Sequence, residues 1–323
     1  MNRSVCSLFA TLLLVAPSVC GAAGAVEFQD DPAQGQLHVL IQGQEAFVYC
    51  YSTNWDLPHI FPMRSPSGKS MTVQKTEPYP HHRSFWFADT VQLEGQREAS
   101  IYNALYSGSG DKKNPQPPFR DRIRPVGLTT AITPDSGGRG ELNLKLIWEM
   151  DHGKMPVLDD ARRIRVIPLG SGEYFLDLNF TLTAAYGAVT FRSDAVHYAW
   201  PFIRLNDEFN ANGGAVLVNS EGGQGQAETN LKPARWVDFS QASGGTAEGV
   251  AIFSHPANEH PHKWLTRDYG CFGPRRIDAK SGRPFTLQQG GQISTRVGVL
   301  IHRGDTLSGR VAERYQSYSK GEL

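Results

Sequence analysis

The sequence carries almost nothing that would draw it to a polyanion. Its 323 residues hold 32 Lys and Arg against 32 Asp and Glu, and no basic cluster is longer than a pair, as at Lys112-Lys113, Arg162-Arg163 and Arg275-Arg276. A surface for nucleic acid or anionic lipid needs a basic excess or run, so neither is an expected partner. Cysteine is scarce, four in all, and Cys-x-x-Cys is missing, which excludes a thiolate zinc site. Beyond residue 25 no stretch approaches the roughly 20 apolar residues that cross a bilayer. Glycine and proline are plentiful but follow no period, and no internal repeat is visible, so a collagen-like or low-complexity chain is excluded. The chain also lacks a Gly-x-Ser-x-Gly elbow and a His-Glu-x-x-His helix. The glycines at 222, 223 and 225 are not followed by the Lys-Ser/Thr of a phosphate loop.

What is present begins with a leader. Arg3 supplies one charge, residues 5–15 are almost wholly apolar, and small residues end in Ala23-Gly24-Ala25. This reads as a secretory signal peptide over residues 1–25, cleaved after Ala25; Pro17, Ser18 and Val19 make a poor lipobox for Cys20. The expected protein is exported, periplasmic or extracellular, with residues 26–323 as a single domain. Cys50 and Cys271 then remain. They could form one long-range disulfide or lie as separate buried thiols, and the sequence leaves both open.

Period-2 alternation dominates the rest. Leu142, Leu144, Leu146 and Trp148 share one side, as do Tyr174, Leu176, Leu178, Phe180 and Leu182, and later Val297, Val299 and Ile301. Each set reads as a half-buried antiparallel strand. Further strands are expected at 37–41, 46–51, 85–91, 126–132, 164–167, 197–205, 215–219, 236–239 and 250–255. One helix is expected, capped by Asp305 and carrying Leu307, Val311, Tyr315 and Tyr318 on one face, packed over an open sheet end. Many short strands with glycine-rich turns predict an all-β fold: a large antiparallel β-sandwich with a C-terminal helix. The long polar, proline-rich stretch 107–124 is a candidate cover for a site.

Ten histidines are the main chemical signal. His81 and His82 precede Arg83 and Trp86 in residues 80–87 (PHHRSFWF). If that segment is extended, neighbouring side chains face opposite sides, so His81 would share a face with Arg83 and not with His82. A second cluster holds His255, His260 and His262, followed by Arg267 and Asp268. The two-residue spacing of His260 and His262 allows chelation, but no third ligand supports it, and no metal site or cofactor is expected. His197 and His302 lie on expected strands. As single histidines they could equally be structural, and Arg267-Asp268 could be an ion pair. Rings that stack on sugar faces, charged groups for hydroxyls, and imidazoles that move protons suit carbohydrate. The expected site has His81, His82, His255 and His302 as acid and base, with Arg83, Trp86, His197, Arg267 and Asp268 holding a small sugar or glycan. Its mixed charge suits a neutral polyol.

Six ordered segments add a resemblance: residues 58–69 (PHIFPMRSPSGK), 80–87, 234–239 (ARWVDF), 249–256 (GVAIFSHP), 264–272 (WLTRDYGCF) and 299–304 (VLIHRG). Together they resemble the bacterial PmoA-like family, often labelled methane oxygenase PmoA. The resemblance implies a secreted β-sandwich related in form to sugar mutarotase-type folds, and its label implies a metal-dependent oxidoreductase. Two departures stand out. Where that family reads Asp-His-Pro-His-His-Arg-Gly this chain has residues 78–84 (PYPHHRS), and a Lys-Glu pair is replaced by His197-Tyr198. The expected functions are a carbohydrate-active enzyme of epimerase, lyase or hydrolase type, a non-catalytic glycan-binding sandwich, or the oxidoreductase of the label.

Overall fold

The computed structural model describes residues 25–323 except 109–114, 134–137, 193–198, 243–246, 259–261 and 276–283. The expected leader falls outside these residues apart from Ala25, as do His197 and His260.

The expected all-β architecture is found. One sheet has nine strands, in the order β1 (Val26–Asp31), β2 (Gln36–Ile41), β3 (Gln44–Cys50), β4 (His59–Met63), β5 (Phe85–Trp86), β13 (Phe202–Arg204), β19 (Cys271–Pro274), β18 (His262–Arg267) and β15 (Pro233–Ala234). A second has eight: β14 (Val216–Asn219), β16 (Trp236–Ser240), β17 (Glu248–Ser254), β21 (Gln292–Arg303), β11 (Glu173–Thr183), β10 (Met155–Gly170), β9 (Arg139–Met150) and β8 (Arg122–Thr133). A small sheet joins β20 (Phe285–Leu287), β12 (Val189–Phe191), β6 (Thr90–Leu93) and β7 (Glu98–Ser100).

The alternation read from the sequence becomes the two inner faces. Leu142, Leu144, Leu146 and Trp148 on β9 are buried, and so are Tyr174 to Leu182 at every second position on β11. Opposite them the nine-stranded sheet turns in Tyr49, Ile60, Phe85, Ile203 and Phe272, which belong to the same apolar cluster. Phe239 and Phe272 meet across the sheets with ring centroids 5.0 Å apart. The basic pair Arg162-Arg163 is split by the pleat. Arg162 points inward onto the buried Asp160, whose Oδ2 also accepts from Trp148 Nε1 at 2.9 Å, while Arg163 lies outside against Glu141.

Two expectations need correction. Residues 85–91 do not form one strand: β5 ends after Trp86, and β6 begins at Thr90 in the small sheet. Asp89 marks the step, its carboxylate accepting from Thr90 N at 2.7 Å and from Trp200 Nε1 at 3.0 Å. The helix, α1 (Val311–Lys320), starts later than expected. Asp305 instead closes a turn by accepting from Ser308 N at 2.8 Å, which leaves Leu307 exposed. The helix lies on the outer face of the eight-stranded sheet, where Val311, Tyr315 and Tyr318 cover Phe175, Trp236, Ala251, Phe253 and Leu300.

Cys50 and Cys271 are free buried thiols on β3 and β19, with three strands between them. Burial pushes them up to about 11 and about 12.

Candidate functional site

In the middle of the nine-stranded sheet the register places His59 of β4 opposite Trp86 of β5, and Trp86 opposite Phe202 of β13. Ile60, Phe85 and Ile203, one residue along each strand, face the core. Alternation therefore turns His59, Trp86 and Phe202 to the outer face, with Arg204 two residues beyond Phe202. The Trp86 and Phe202 rings stack at 4.8 Å.

The segment before β5 folds over this row. His82 N donates to the Tyr79 carbonyl at 2.9 Å, making a turn through Pro80 and His81. The segment is thus not extended, and the face rule applied to it fails: both imidazoles fall in one site, edge to face with centroids 4.6 Å apart. Tyr79 stacks on His82 at 4.9 Å and lies 5.6 Å from Tyr269. Tyr102 and Tyr106, from the 3-10 turn Ile101–Tyr106, flank His81 at 5.3 and 5.7 Å. Beneath them the Tyr102 hydroxyl and His82 Nε2 are hydrogen-bonded at 3.1 Å.

Charge enters from two sides. Arg83 is fully buried and donates through Nε to Asp56 Oδ1 at 3.1 Å, with Nη2 on the same oxygen. Trp55 lies under this pair, 5.0 Å from His59, with the exposed Lys75 Nζ 4.5 Å above its ring. On the other side Arg204 lies 4.2 Å over the Tyr269 ring and donates to its carbonyl. Burial, reinforced by the Arg83 charge, lowers His59 and His81 to about 4; burial, with His81 and Arg204, lowers His82 to about 2. All three imidazoles are neutral at neutral pH. His59 Nδ1 donates to the Leu57 carbonyl at 3.1 Å, which fixes its tautomer.

Several buried polar atoms of this layer have no hydrogen-bond partner: Asp56 Oδ2, His82 Nδ1, Arg83 Nη1, Trp86 Nε1 and Arg204 Nε. Such groups cost roughly 1–3 kcal/mol each when left unmade, and their concentration beneath one ring layer marks a place built to be completed by a ligand. A groove of about 490 Å³ on the outer face of β8–β11 makes a contrast. Its Arg163 and Asn143 are already engaged by Glu141.

The other expected site residues lie elsewhere. His302 is sealed on the outer face of the eight-stranded sheet, its Nε2 3.0 Å from Asp238 Oδ1. Although burial opposes it, the Asp238 carboxylate holds this imidazole above its ordinary value. Glycines make the room: a Cβ on Gly249 would come 2.6 Å from the His302 ring. His255 lies with its Nε2 3.1 Å from Arg296 Nη1 and its ring 5.1 Å from Tyr318. Neither shares a partner with His81 or His82. Arg267 and Asp268 are not paired with each other; Arg267 donates to Asn230 Oδ1 at 2.7 Å, and Asp268 Oδ1 accepts from Gln226 N at 2.9 Å. Both brace the turn that carries Tyr269 to the site. The residues unforeseen from the sequence are Trp55, Asp56, His59, Lys75, Tyr79, Tyr102, Arg204 and Tyr269. Among the described residues no three His, Cys, Asp or Glu side chains gather as metal ligands, and no helix is long and apolar enough to cross a membrane.

Comparison with known proteins corrects the resemblance. The model of DUF6807, a family of unknown function, matches residues 36–316, and the PmoA-like assignment falls, so the oxidoreductase reading loses the label on which it rested. No curated protein matches. Solved structures similar to this chain include the GH36 α-galactosidases AgaB and AgaA of Geobacillus stearothermophilus, at 9% and 8% identity and TM-scores of 0.48 and 0.45. Each alignment covers 88% of this chain, and 42% and 41% of the enzymes' own chains. The α-galactosidase of Lactobacillus brevis is similar at 8% identity and a TM-score of 0.44, over 91% of this chain and 42% of its own. The chain thus spans about two fifths of the length of these structures. It belongs to the DUF6807 family.

Proposed function

We propose that the outer face of the nine-stranded sheet is a sugar-binding site, and that His81 and His82 perform acid–base chemistry there on a bound sugar or glycoside. The observation that carries this reading is the set of unpartnered buried polar atoms under a layer of rings. A pyranose has C–H faces rimmed by hydroxyls. Tyr79 and Tyr269 offer rings to such a face, and beneath them Asp56 Oδ2 and Arg83 Nη1, sealed from solvent, are an acceptor and a donor without partners. His82 adds Nδ1, held in place by the Tyr102 hydroxyl on its other nitrogen. His81, less buried than His82, is the imidazole with room to exchange a proton. The leader-like residues 1–25 support a place outside the cytoplasm.

One observation favours a second reading, a glycan-binding module without turnover. Imidazoles at about 4 and about 2 are weak bases at pH 7, where acid–base catalysts work best with matched values. Calorimetric titration with a panel of mono- and disaccharides, alongside NMR of the same mixtures over hours, tests both. The enzyme reading expects binding, turnover, and loss of turnover by at least 100-fold in His81→Gln. Binding without turnover selects the module. Turnover unchanged in both His81→Gln and His82→Gln would refute the assignment of these residues.

A further inference from the structure

Arg204 sits on β13 immediately after Ile203, which faces the core, so its side chain emerges on the outer face beside Phe202. It is 8% exposed. One end donates to the Tyr269 carbonyl and the guanidinium plane rests on the Tyr269 ring, while Nε has no partner. Among the described residues Arg204 has no ion pair. Nearby acids are committed elsewhere: Asp207 to Asn210, Glu208 to Lys69, and Asp268 to the Gln226 backbone.

Charge across the layer is therefore unbalanced. Arg83 and Asp56 cancel, the three histidines are neutral, the exposed rim residues Lys75 and Glu77 are of opposite charge, and Arg204 remains. The mixed set expected from the sequence counted Asp268 inside the site, and the structure places it outside. A buried guanidinium without a counter-ion is costly to keep, and its planar fork matches a carboxylate in two parallel hydrogen bonds.

We infer that the sugar unit taken by this site carries a carboxylate, as in a uronic acid, and that Arg204 binds that carboxylate. The inference rests on the sugar-binding reading above and adds the ligand's charge to it. The backbone ties the parts together: Arg204 N donates to the Ser84 carbonyl at 2.7 Å and Lys75 N to the His82 carbonyl at 3.1 Å. A carboxylate on Arg204 thus lies against the imidazole pair. It offsets the positive field that Arg204 exerts on His82, the smallest of the three causes that lower this imidazole after burial and His81.

Calorimetry at fixed ionic strength tests this with glucuronate and galacturonate, their methyl esters, glucose, galactose and glucose 6-sulfate. The expected result is a uronate at least tenfold tighter than its parent sugar and its ester, and tighter than the sulfate. In Arg204→Met the ratio of uronate to parent affinity falls to about one, while Arg204→Lys, which keeps the charge without the fork, retains an intermediate ratio. Thermal melts confirm that both variants are folded. Equal affinity for uronate and parent in the wild type overturns the inference and leaves the sugar site standing. The sulfate matching the uronate overturns it too, by showing a general anion site. A uronate preference that survives in Arg204→Met removes Arg204 from the role. If no sugar of any kind binds the wild type, the underlying reading fails as well.

Discussion

Lowering the pH from 7.5 to 5 loads protons onto the unfolded chain before the folded one, because two imidazoles at the base of the site resist charging. His59 and His82 are nearly inaccessible, at 1% and 4% exposure, and burial first, with neighbouring cations, lowers them to about 4 and about 2. In the unfolded chain both titrate near the ordinary value of about 6.5. Stability from these groups is fully present above about pH 6.5 and is lost as the pH falls toward their folded values. At pH 5 the unfolded state holds nearly two protons that the folded state lacks, which costs about 2 kcal/mol per histidine and about 4 kcal/mol for the pair. Set against a typical total of about 5–15 kcal/mol, that is a large share. Urea unfolding at the two pH values reads it directly. The control is the double variant His59→Asn, His82→Gln, whose amides reach the Leu57 and Tyr102 contacts without titrating. His302 works in the opposite sense. Its stability is fully present below about pH 6.5, the ordinary value, and is lost as the pH rises through the raised folded value above it, and it cancels because both proteins keep it. The wild type should lose about 4 kcal/mol more than the variant. Equal losses would refute the reasoning.

Two further predictions follow from the buried groups. Arg83→Met strands the Asp56 carboxylate in the interior and should cost about 3–5 kcal/mol, whereas Arg83→Met with Asp56→Leu should recover most of it, both measured by chemical denaturation. Cys50 and Cys271, buried and held at about 11 and about 12, should resist a maleimide at pH 8 in the native protein and react fully in denaturant; rapid native labelling of either would contradict the packing described.

How far the sequence was legible follows from which physical signals are local. Alternation is local: Leu142 to Trp148 and Tyr174 to Leu182 announced the inner face, because a sheet with one covered side must repeat every two residues. The step at Asp89 was hidden, since apolar residues flank it on both sides, at 85–88 and at 91 and 93, while the chain changes sheets. The turn at Pro80-His81 was hidden too; reading the segment as extended parted two rings that share a site. His59 lies in a mostly apolar stretch with only Trp55-Asp56 nearby as a signal. Arg204 and Tyr269 reach the site through strand pairing across more than a hundred residues, which spacing in one sequence does not encode. His255 and His302 looked like site members because a strand-end histidine carries no mark of the sheet face it will occupy.

The dipeptide Phe85-Trp86 joins two fates. Phe85 belongs to the interior between the sheets and Trp86 to the floor of the site, with one peptide bond between them. A shift of the backbone at this dipeptide therefore acts on the sandwich interior and on the site together. Ligand affinity would then report on the packing of the sandwich at this point as well as on the site.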